Sequence, residues 1–125
     1  MRVLVVLVAV GLLTACSTVK RGNGFTLTDQ HVKTVQDGVR ASMKDPDSAK
    51  FGPMAAVVDT DGAVTVCGFV NGRNSFGGYV GMQPFFGMMD AGALAFATIA
   101  IGSGETGRMT VEIQCRSRGL DLARI

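Results

Sequence analysis

The sequence predicts a small α+β domain with one N-terminal helix, an antiparallel sheet of about three strands, a C-terminal helix and one disulfide. Three features predict this fold. Apolar residues recur at helical spacing near the start of the domain, two valine-rich segments are joined by an aspartate–glycine turn, and two cysteines lie in the second half of the chain. The 125 residues leave room for one domain, and 17 glycines with no tryptophan indicate a small core that would gain from a covalent link.

The first helix is predicted to begin after Thr28, whose hydroxyl is a good N-cap, and to end at Asp45. Asp45 precedes a proline, which pushes it out of the helical region. The apolar residues that define the buried face follow at spacings of three and four: Val32, Val35, Val39 and Met43. Charged residues occupy the other faces, which is the pattern of a helix packed on one side against a core.

Three segments are predicted to form the antiparallel sheet. Residues 54–58 and 63–70 are valine-rich, and residues 59–62 between them, Asp-Thr-Asp-Gly, are a good hairpin signal. After a second turn, residues 76–83 are predicted to run back as a third strand with bulges at their glycines.

Two segments in the last third of the chain are compatible with more than one structure. Residues 91–101 are apolar and small but shorter than the roughly 20 residues of a membrane span, so we expect a buried strand or helix. Residues 110–115 alternate like a strand, whereas Gly119 followed by Leu120 is typical of a helix end. We favour a helix for this final segment.

The first sixteen residues have the pattern of an export signal. Arg2 is followed by an apolar stretch, residues 3–13, which is too short to span about 30 Å of hydrocarbon. The stretch closes with Leu13-Thr14-Ala15-Cys16, which resembles the lipobox of bacterial lipoproteins. In that class of protein the cysteine thiol receives a diacylglyceryl group and the chain is cut just before it. The alternative is an ordinary secretory signal that happens to end in a cysteine.

The resemblance implies three regions: a signal peptide over residues 1–15, a lipidated tether over residues 16–26 and an α+β domain over residues 27–125. Lipid on Cys16 would anchor the protein to a membrane, because two or three acyl chains give stable attachment where one does not. Ser17 is compatible with the outer membrane, since aspartate at this place would favour retention in the inner one. We therefore expect a cell-envelope lipoprotein that faces the periplasm.

Of the three cysteines in the chain, two remain once Cys16 is assigned to lipid. Cys67 and Cys115 then remain as a pair in an oxidising compartment, which predicts a disulfide between them. Two buried free thiols are the alternative. A metal site is disfavoured because His31 is the only histidine and no second cysteine lies close in sequence to either member of the pair.

The sequence predicts no cofactor, no nucleic-acid partner and no catalytic residue. Residues 102–107, Gly-Ser-Gly-Glu-Thr-Gly, match a dinucleotide-binding pattern, but the chain that follows is too short for the second strand that the pattern requires, so we interpret them as a loop. His31 is expected to be exposed to solvent, and the aspartates at 45, 47, 59 and 61 are interpreted as turn residues. The charges, net +2, are scattered and form no basic stripe.

Residues 45–51 are Asp-Pro-Asp-Ser-Ala-Lys-Phe, and residues 67–81 are Cys-Gly-Phe-Val-Asn-Gly-Arg-Asn-Ser-Phe-Gly-Gly-Tyr-Val-Gly. These segments resemble the patterns DPxSAxF and CGxVNxxNSFGGYxG of a family of small uncharacterised bacterial and prophage-borne exported proteins. The resemblance covers residues 32–118 and implies a small exported α+β domain with a disulfide between Cys67 and Cys115. It implies no activity. The chain departs from the family at Phe69, where many relatives carry glutamate.

The second of these segments contains a candidate recognition surface, formed by Asn71, Asn74, Ser75, Phe76 and Tyr79. Its asparagines and glycines also favour tight turns, so packing and turn geometry are the alternative role for the same residues.

The expected function is that of a non-enzymatic, membrane-anchored lipoprotein that acts as a binding or structural module, with an envelope protein as the partner. The alternative is a cell-envelope enzyme or enzyme inhibitor. A deep pocket that holds Asp47, Arg73 and Tyr79 would favour an enzyme, and a protruding loop at Phe76 would favour an inhibitor.

Overall fold

The computed structural model describes residues 22–125. The helices and strands in this part of the chain are β1 (Asn23–Phe25), α1 (Asp29–Ala41), β2 (Lys50–Val58), β3 (Ala63–Asn71), β4 (Gln83–Asp90), β5 (Ala97–Ile101) and α2 (Gly104–Ser117). Single 3-10 turns lie at Pro46–Ser48 and Leu122–Arg124. The predicted signal peptide, Cys16 and the first part of the predicted tether lie outside the described residues. Within residues 22–125, none of the helices has the length and apolar character needed to cross a membrane.

The five strands form one antiparallel sheet in the order β1-β2-β3-β4-β5, so each strand pairs with its neighbours in sequence. Helix α1 packs on one face of the sheet and α2 on the other. Side chains alternate between the two faces of a strand, so Val64 and Val66 of β3 join the core under α1 while Cys67 joins the core under α2. The α+β fold predicted from the sequence is confirmed.

The prediction of about three strands is wrong, because the sheet within residues 22–125 has five. Residues 76–82 form a loop instead of the predicted third strand, and the strand that pairs with β3 begins at Gln83. The glycines at 77 and 81 have positive φ angles, which suit turns and not an extended strand. The apolar residues Phe85, Phe86 and Met89 are buried and take that place in the sheet.

Pro84 is tolerated in this interior strand because of the direction in which its backbone faces. Its carbonyl oxygen accepts a hydrogen bond from the Gly102 N–H at 2.7 Å, which places the backbone groups of Pro84 on the β5 side. The pairing of β4 with β5 begins at Phe85, opposite Ile101. The missing N–H of proline therefore removes no bond to β3.

Both edge strands of the sheet are short. β1 lies inside the segment predicted as a tether, so the folded domain begins before residue 27. Residues 91–101 are not one buried element: residues 91–96 form a loop, and Ala97–Ile101 form β5, where Ile99 is half exposed. An edge strand has only one neighbour, which is why this apolar segment stays partly in solvent.

Helix α1 begins as predicted, with Thr28 as its N-cap. Thr28 Oγ1 accepts a hydrogen bond from the His31 backbone N–H at 3.3 Å, and His31 Nδ1 accepts one from the Thr28 N–H at 3.0 Å. The two side chains thus form a reciprocal cap. His31 is half-buried in this role, so the expectation of a solvent-exposed histidine is wrong. The helix ends at Ala41, ahead of the predicted end at Asp45.

Helix α2 contains residues 110–115, which confirms the helical prediction for this segment. Beyond its end, Gly119 has a φ of +95° and the Leu120 N–H donates to Cys115 O at 2.9 Å, as expected of a glycine-terminated helix. Residues 102–103 form the predicted loop, but residues 104–107 form the first turn of α2, so the loop prediction is wrong for the second half of the glycine motif. No strand follows α2 in the described part of the chain, and the sheet is antiparallel throughout.

The predicted disulfide is present and links Cys67 of β3 to Cys115 of α2, 48 residues apart. Both cysteines are fully buried. They lie in a cluster with Val57, Phe86 and Val111, so the link fastens α2 to the centre of the sheet.

At Gly38, helix propensity and packing act in opposite directions. Alanine is normally more favourable than glycine inside a helix by about 1 kcal/mol. A Cβ on Gly38 would lie 2.5 Å from the backbone oxygen of Phe96, which cannot move aside like a flexible side chain. We expect Gly38→Ala to lower the free energy of unfolding by about 1–3 kcal/mol in chemical denaturation. Gly24→Ala is the control, because a Cβ there meets no atom within 4 Å. A more stable Gly38→Ala protein would contradict this packing of α1.

Candidate functional site: the loop between β3 and β4

The residues of the predicted recognition surface lie together in the loop that joins β3 to β4, residues 72–82, which we call the β3–β4 loop. Asn71 is the last residue of β3, and Asn74, Ser75, Phe76 and Tyr79 belong to the loop. The pairing of β3 with β4 ends at Val70 and Gln83. The loop therefore extends beyond the paired strands at one end of the sheet.

A tight turn forms the tip of the β3–β4 loop. The Gly77 N–H donates to Asn74 O at 3.0 Å, and Gly77 has a φ of +80°. The side-chain oxygen of Asn74 accepts hydrogen bonds from the Phe76 N–H at 3.0 Å and from the Gly78 N–H at 3.1 Å. Asparagine at the first position and glycine at the fourth are the residues that such a turn favours. The conformation of the tip is thus set by local hydrogen bonds.

The two sides of the loop are joined below the tip. Arg73 and Tyr79 form an isolated antiparallel bridge. Closer to the sheet, the Val80 N–H donates to Gly72 O at 3.3 Å, and the Gly81 N–H donates to the side-chain oxygen of Asn71 at 3.0 Å. These bonds make the loop a narrow, ordered projection.

The 3-10 turn Pro46–Ser48 supports the base of the loop. Ser48 is almost fully buried; its hydroxyl donates to Asp45 O at 2.8 Å and accepts from the Arg73 N–H at 2.9 Å. The Arg73 side chain also donates from Nε to Asp45 Oδ2 at 3.0 Å. The two sequence segments that carry the family resemblance therefore contact each other in space. Both segments could be identified from the sequence, but the contact between them could not.

The β3–β4 loop exposes a set of apolar side chains. Phe76 at the tip has 97% of its surface exposed. Three further apolar residues, about half exposed, lie on the returning side of the loop: Tyr79, Val80 and Met82. Packing inside the domain is therefore not the role of the Phe76 ring. Single exposed apolar residues are common on protein surfaces, whereas a run of four in one loop is typical of an interaction site.

Two basic side chains contact this apolar loop. Lys50 Nζ lies 4.4 Å from the centre of the Tyr79 ring, a cation–π contact. Arg108 Nη1 donates to Met82 O at 2.7 Å. Arg73, the one charged residue within residues 72–82, is paired with Asp45, so the positive charge beside the loop comes from Lys50 and Arg108.

The main cavity near the loop has a volume of about 320 Å³ and lies between the end of α1, the loop and the ends of β4 and β5. Arg73, Lys44, Gln83 and Ser103 contribute its polar lining. Asp47 and Tyr79 do not line this cavity, so the three residues whose meeting in a pocket would favour an enzyme are not assembled there. Among residues 22–125, no three His, Cys, Asp or Glu side chains are grouped so that they could hold a metal ion.

Phe69 is half-buried against the core under α2. It lines a cleft of about 170 Å³ whose charged residues have both signs: Arg108, Arg116, Glu112 and Asp121.

Comparison with known proteins finds no family model, no curated protein and no solved structure that matches this chain.

Proposed function

We propose that the protein is a lipid-anchored protein of the cell envelope that binds a protein partner through the β3–β4 loop, without catalysis. The observation that carries this proposal is Phe76, which is 97% exposed at the tip of a turn that hydrogen bonds hold in place. The resemblance of Leu13-Thr14-Ala15-Cys16 to a lipobox supports the anchor.

The energetics of the loop favour binding. Transfer of an exposed phenylalanine ring into an apolar pocket gains about 1.5–3 kcal/mol. The Asn74 and Asn71 side chains already hold the loop in one conformation, so little conformational entropy is lost when it meets a partner. An exposed aromatic ring at the tip of an ordered loop, with cations nearer the base of the loop, is a common composition for the centre of an interface.

The position of the loop agrees with a membrane anchor on the other side of the domain. Asn23 pairs with Val58, where β2 ends, whereas the β3–β4 loop follows Asn71, at the opposite end of the sheet. The nine residues of β3 span about 30 Å between these two ends. A chain anchored through Cys16 can therefore present the loop towards the periplasm.

An enzyme inhibitor is the second candidate function. The specific observation in its favour is the same narrow projection, because a rigid loop with an exposed aromatic tip fits the cleft of an envelope enzyme. The partner would then be the enzyme, and binding would lower its activity.

The anchor is tested by the intact mass of the protein extracted from membranes, beside that of the Cys16→Ala variant. We expect a chain that begins at Cys16 and carries a diacylglyceryl group, with a gain of about 2 Da on reduction of the disulfide. The Cys16→Ala protein should appear in the soluble fraction or remain unprocessed. An unmodified wild-type chain in the soluble fraction would contradict the anchor.

The binding role of the loop is tested with a photoreactive phenylalanine analogue placed at Phe76 in membranes. We expect one discrete cross-linked species, because the ring is the most exposed part of the proposed interface. The matched control carries the analogue at Met109, a half-exposed position on α2. Excess unlabelled wild-type protein should suppress the cross-link, and excess Phe76→Ser protein should not. Equal cross-linking at both positions, or equal competition by both proteins, would contradict a specific role for Phe76.

A further inference from the structure

Another strongly exposed apolar residue lies at the end of the sheet opposite the β3–β4 loop. Leu94, between β4 and β5, has 89% of its surface exposed. Ala91, Gly92 and Ala95 beside it are also exposed, and residues 91–96 include no charged residue. We call residues 91–96 the Leu94 loop.

In the Leu94 loop, Ala93 and Phe96 are buried whereas Leu94 is exposed to solvent. Ala93 and Phe96 are buried in the core under α1. The Thr34 hydroxyl donates to Ala93 O at 3.0 Å and ties the loop to this helix. Ala93 has a φ of +54°, a left-handed conformation that is unfavourable for a residue with a Cβ. The burial of Ala93 and Phe96 thus leaves Leu94 between them on the outside of the domain.

The Leu94 loop and the start of the described chain lie at the same end of the sheet. Asn23 of β1 pairs with Val58 of β2, which pairs with Val64 of β3. Val64 in turn pairs with Met89 of β4, just before the Leu94 loop. Three strand spacings, about 14 Å, separate β1 from β4. Gly22 follows Cys16 by six residues, which reach about 20 Å at most. Lipid on Cys16 and the side chain of Leu94 can thus meet one flat surface.

We propose that Leu94 is a second membrane contact, which inserts into the interface of the bilayer that holds the lipid on Cys16 and orients the domain. This inference rests on the proposed lipid anchor. The lipid supplies attachment, and the short tether keeps Leu94 at a high effective concentration next to the bilayer, so one apolar side chain is enough to bias the orientation. In this orientation the β3–β4 loop points away from the membrane, towards its protein partner.

The chain contains no tryptophan, so a single introduced tryptophan reports lipid contact without background. The full-length, processed protein with Leu94→Trp is compared with its Phe76→Trp counterpart, each with its lipid verified by mass. Both are reconstituted into phosphatidylcholine vesicles with and without brominated acyl chains. Neutral lipid is chosen because Asp61 and Asp90 lie near the Leu94 loop and would oppose an anionic surface. We expect a blue shift and bromine quenching for Leu94→Trp, and neither for Phe76→Trp.

Each other outcome overturns the inference in a distinguishable way. A lipidated Leu94→Trp protein whose emission is not quenched overturns the membrane contact and leaves the anchor intact. Equal quenching of both variants overturns the orientation. A blue shift that grows with protein density but shows no bromine quenching assigns Leu94 to contact with a second copy of the chain. Absence of lipid on Cys16 overturns the anchor and this inference together.

Discussion

The double variant Cys67→Ala/Cys115→Ala is expected to lose about 4 kcal/mol of its free energy of unfolding. The disulfide links residues 48 apart, and its removal returns conformational entropy to the unfolded chain. Both cysteines are also fully buried between β3 and α2, so the smaller alanines leave apolar contacts unmade. For a domain of this size, the loss corresponds to a decrease of about 15–30 °C in the midpoint of thermal unfolding.

Unfolding of the oxidised wild type, the reduced wild type and the double variant measures this effect. We expect the reduced wild type to unfold near the midpoint of the double variant, because both lack the same covalent link. Cys16→Ala is the matched control, since it removes a cysteine that lies before the folded domain. If the oxidised wild type and the double variant shared one midpoint, the disulfide would contribute nothing to stability and the prediction would fail.

Phe85→Ala is expected to cost about 3–5 kcal/mol of unfolding free energy. Phe85 is fully buried in the core under α1. Its ring meets Phe96 edge to face, with ring centres 6.4 Å apart. It also fills the space beside Gly68, where a Cβ would lie 2.9 Å from Phe85 Cζ. Alanine at this position leaves a cavity at the centre of the sheet, which the packed strands around it can only partly close.

The same substitution at Phe76 is the matched control for Phe85. Because the Phe76 ring is 97% exposed, we expect Phe76→Ala to change the free energy of unfolding by less than about 0.5 kcal/mol. Urea denaturation of both variants measures the difference. Similar losses at the two positions would contradict the structure, because they would mean that the Phe76 ring is packed in the folded state.

The sequence does not reveal that Phe85 is buried and Phe76 is exposed. Both rings are flanked by small or apolar residues, and hydrophobicity alone favours burial for each. The prediction of a third strand over residues 76–83 follows from that apolar content, and it is wrong. The glycines at 77 and 81 are the local signal for a loop, because their positive φ angles fit a turn. The buried strand begins one residue before Pro84, where the sequence offers no reason to start one.

The candidate site was predictable in its residues but not in its geometry. Asn71, Asn74 and Phe76 follow from the sequence pattern, and the turn at Asn74 follows from local hydrogen-bond chemistry. The support from Ser48 does not, because this residue meets Arg73 only after β2 and β3 have paired. The exposed Val80 and Met82, which extend the apolar surface, also lie outside the predicted set.

The sequence by itself determined the features that depend on a few neighbouring residues or on the number of cysteines. These are the Thr28 cap, the Asp59–Gly62 hairpin turn, the glycine-terminated last helix and the pairing of Cys67 with Cys115. Only the tertiary structure decided the number of strands, the burial of Phe85 and the exposure of Phe76 and Leu94. Local hydrogen bonds are made by residues a few positions apart, whereas the burial of a side chain depends on which distant segments of the chain come to cover it.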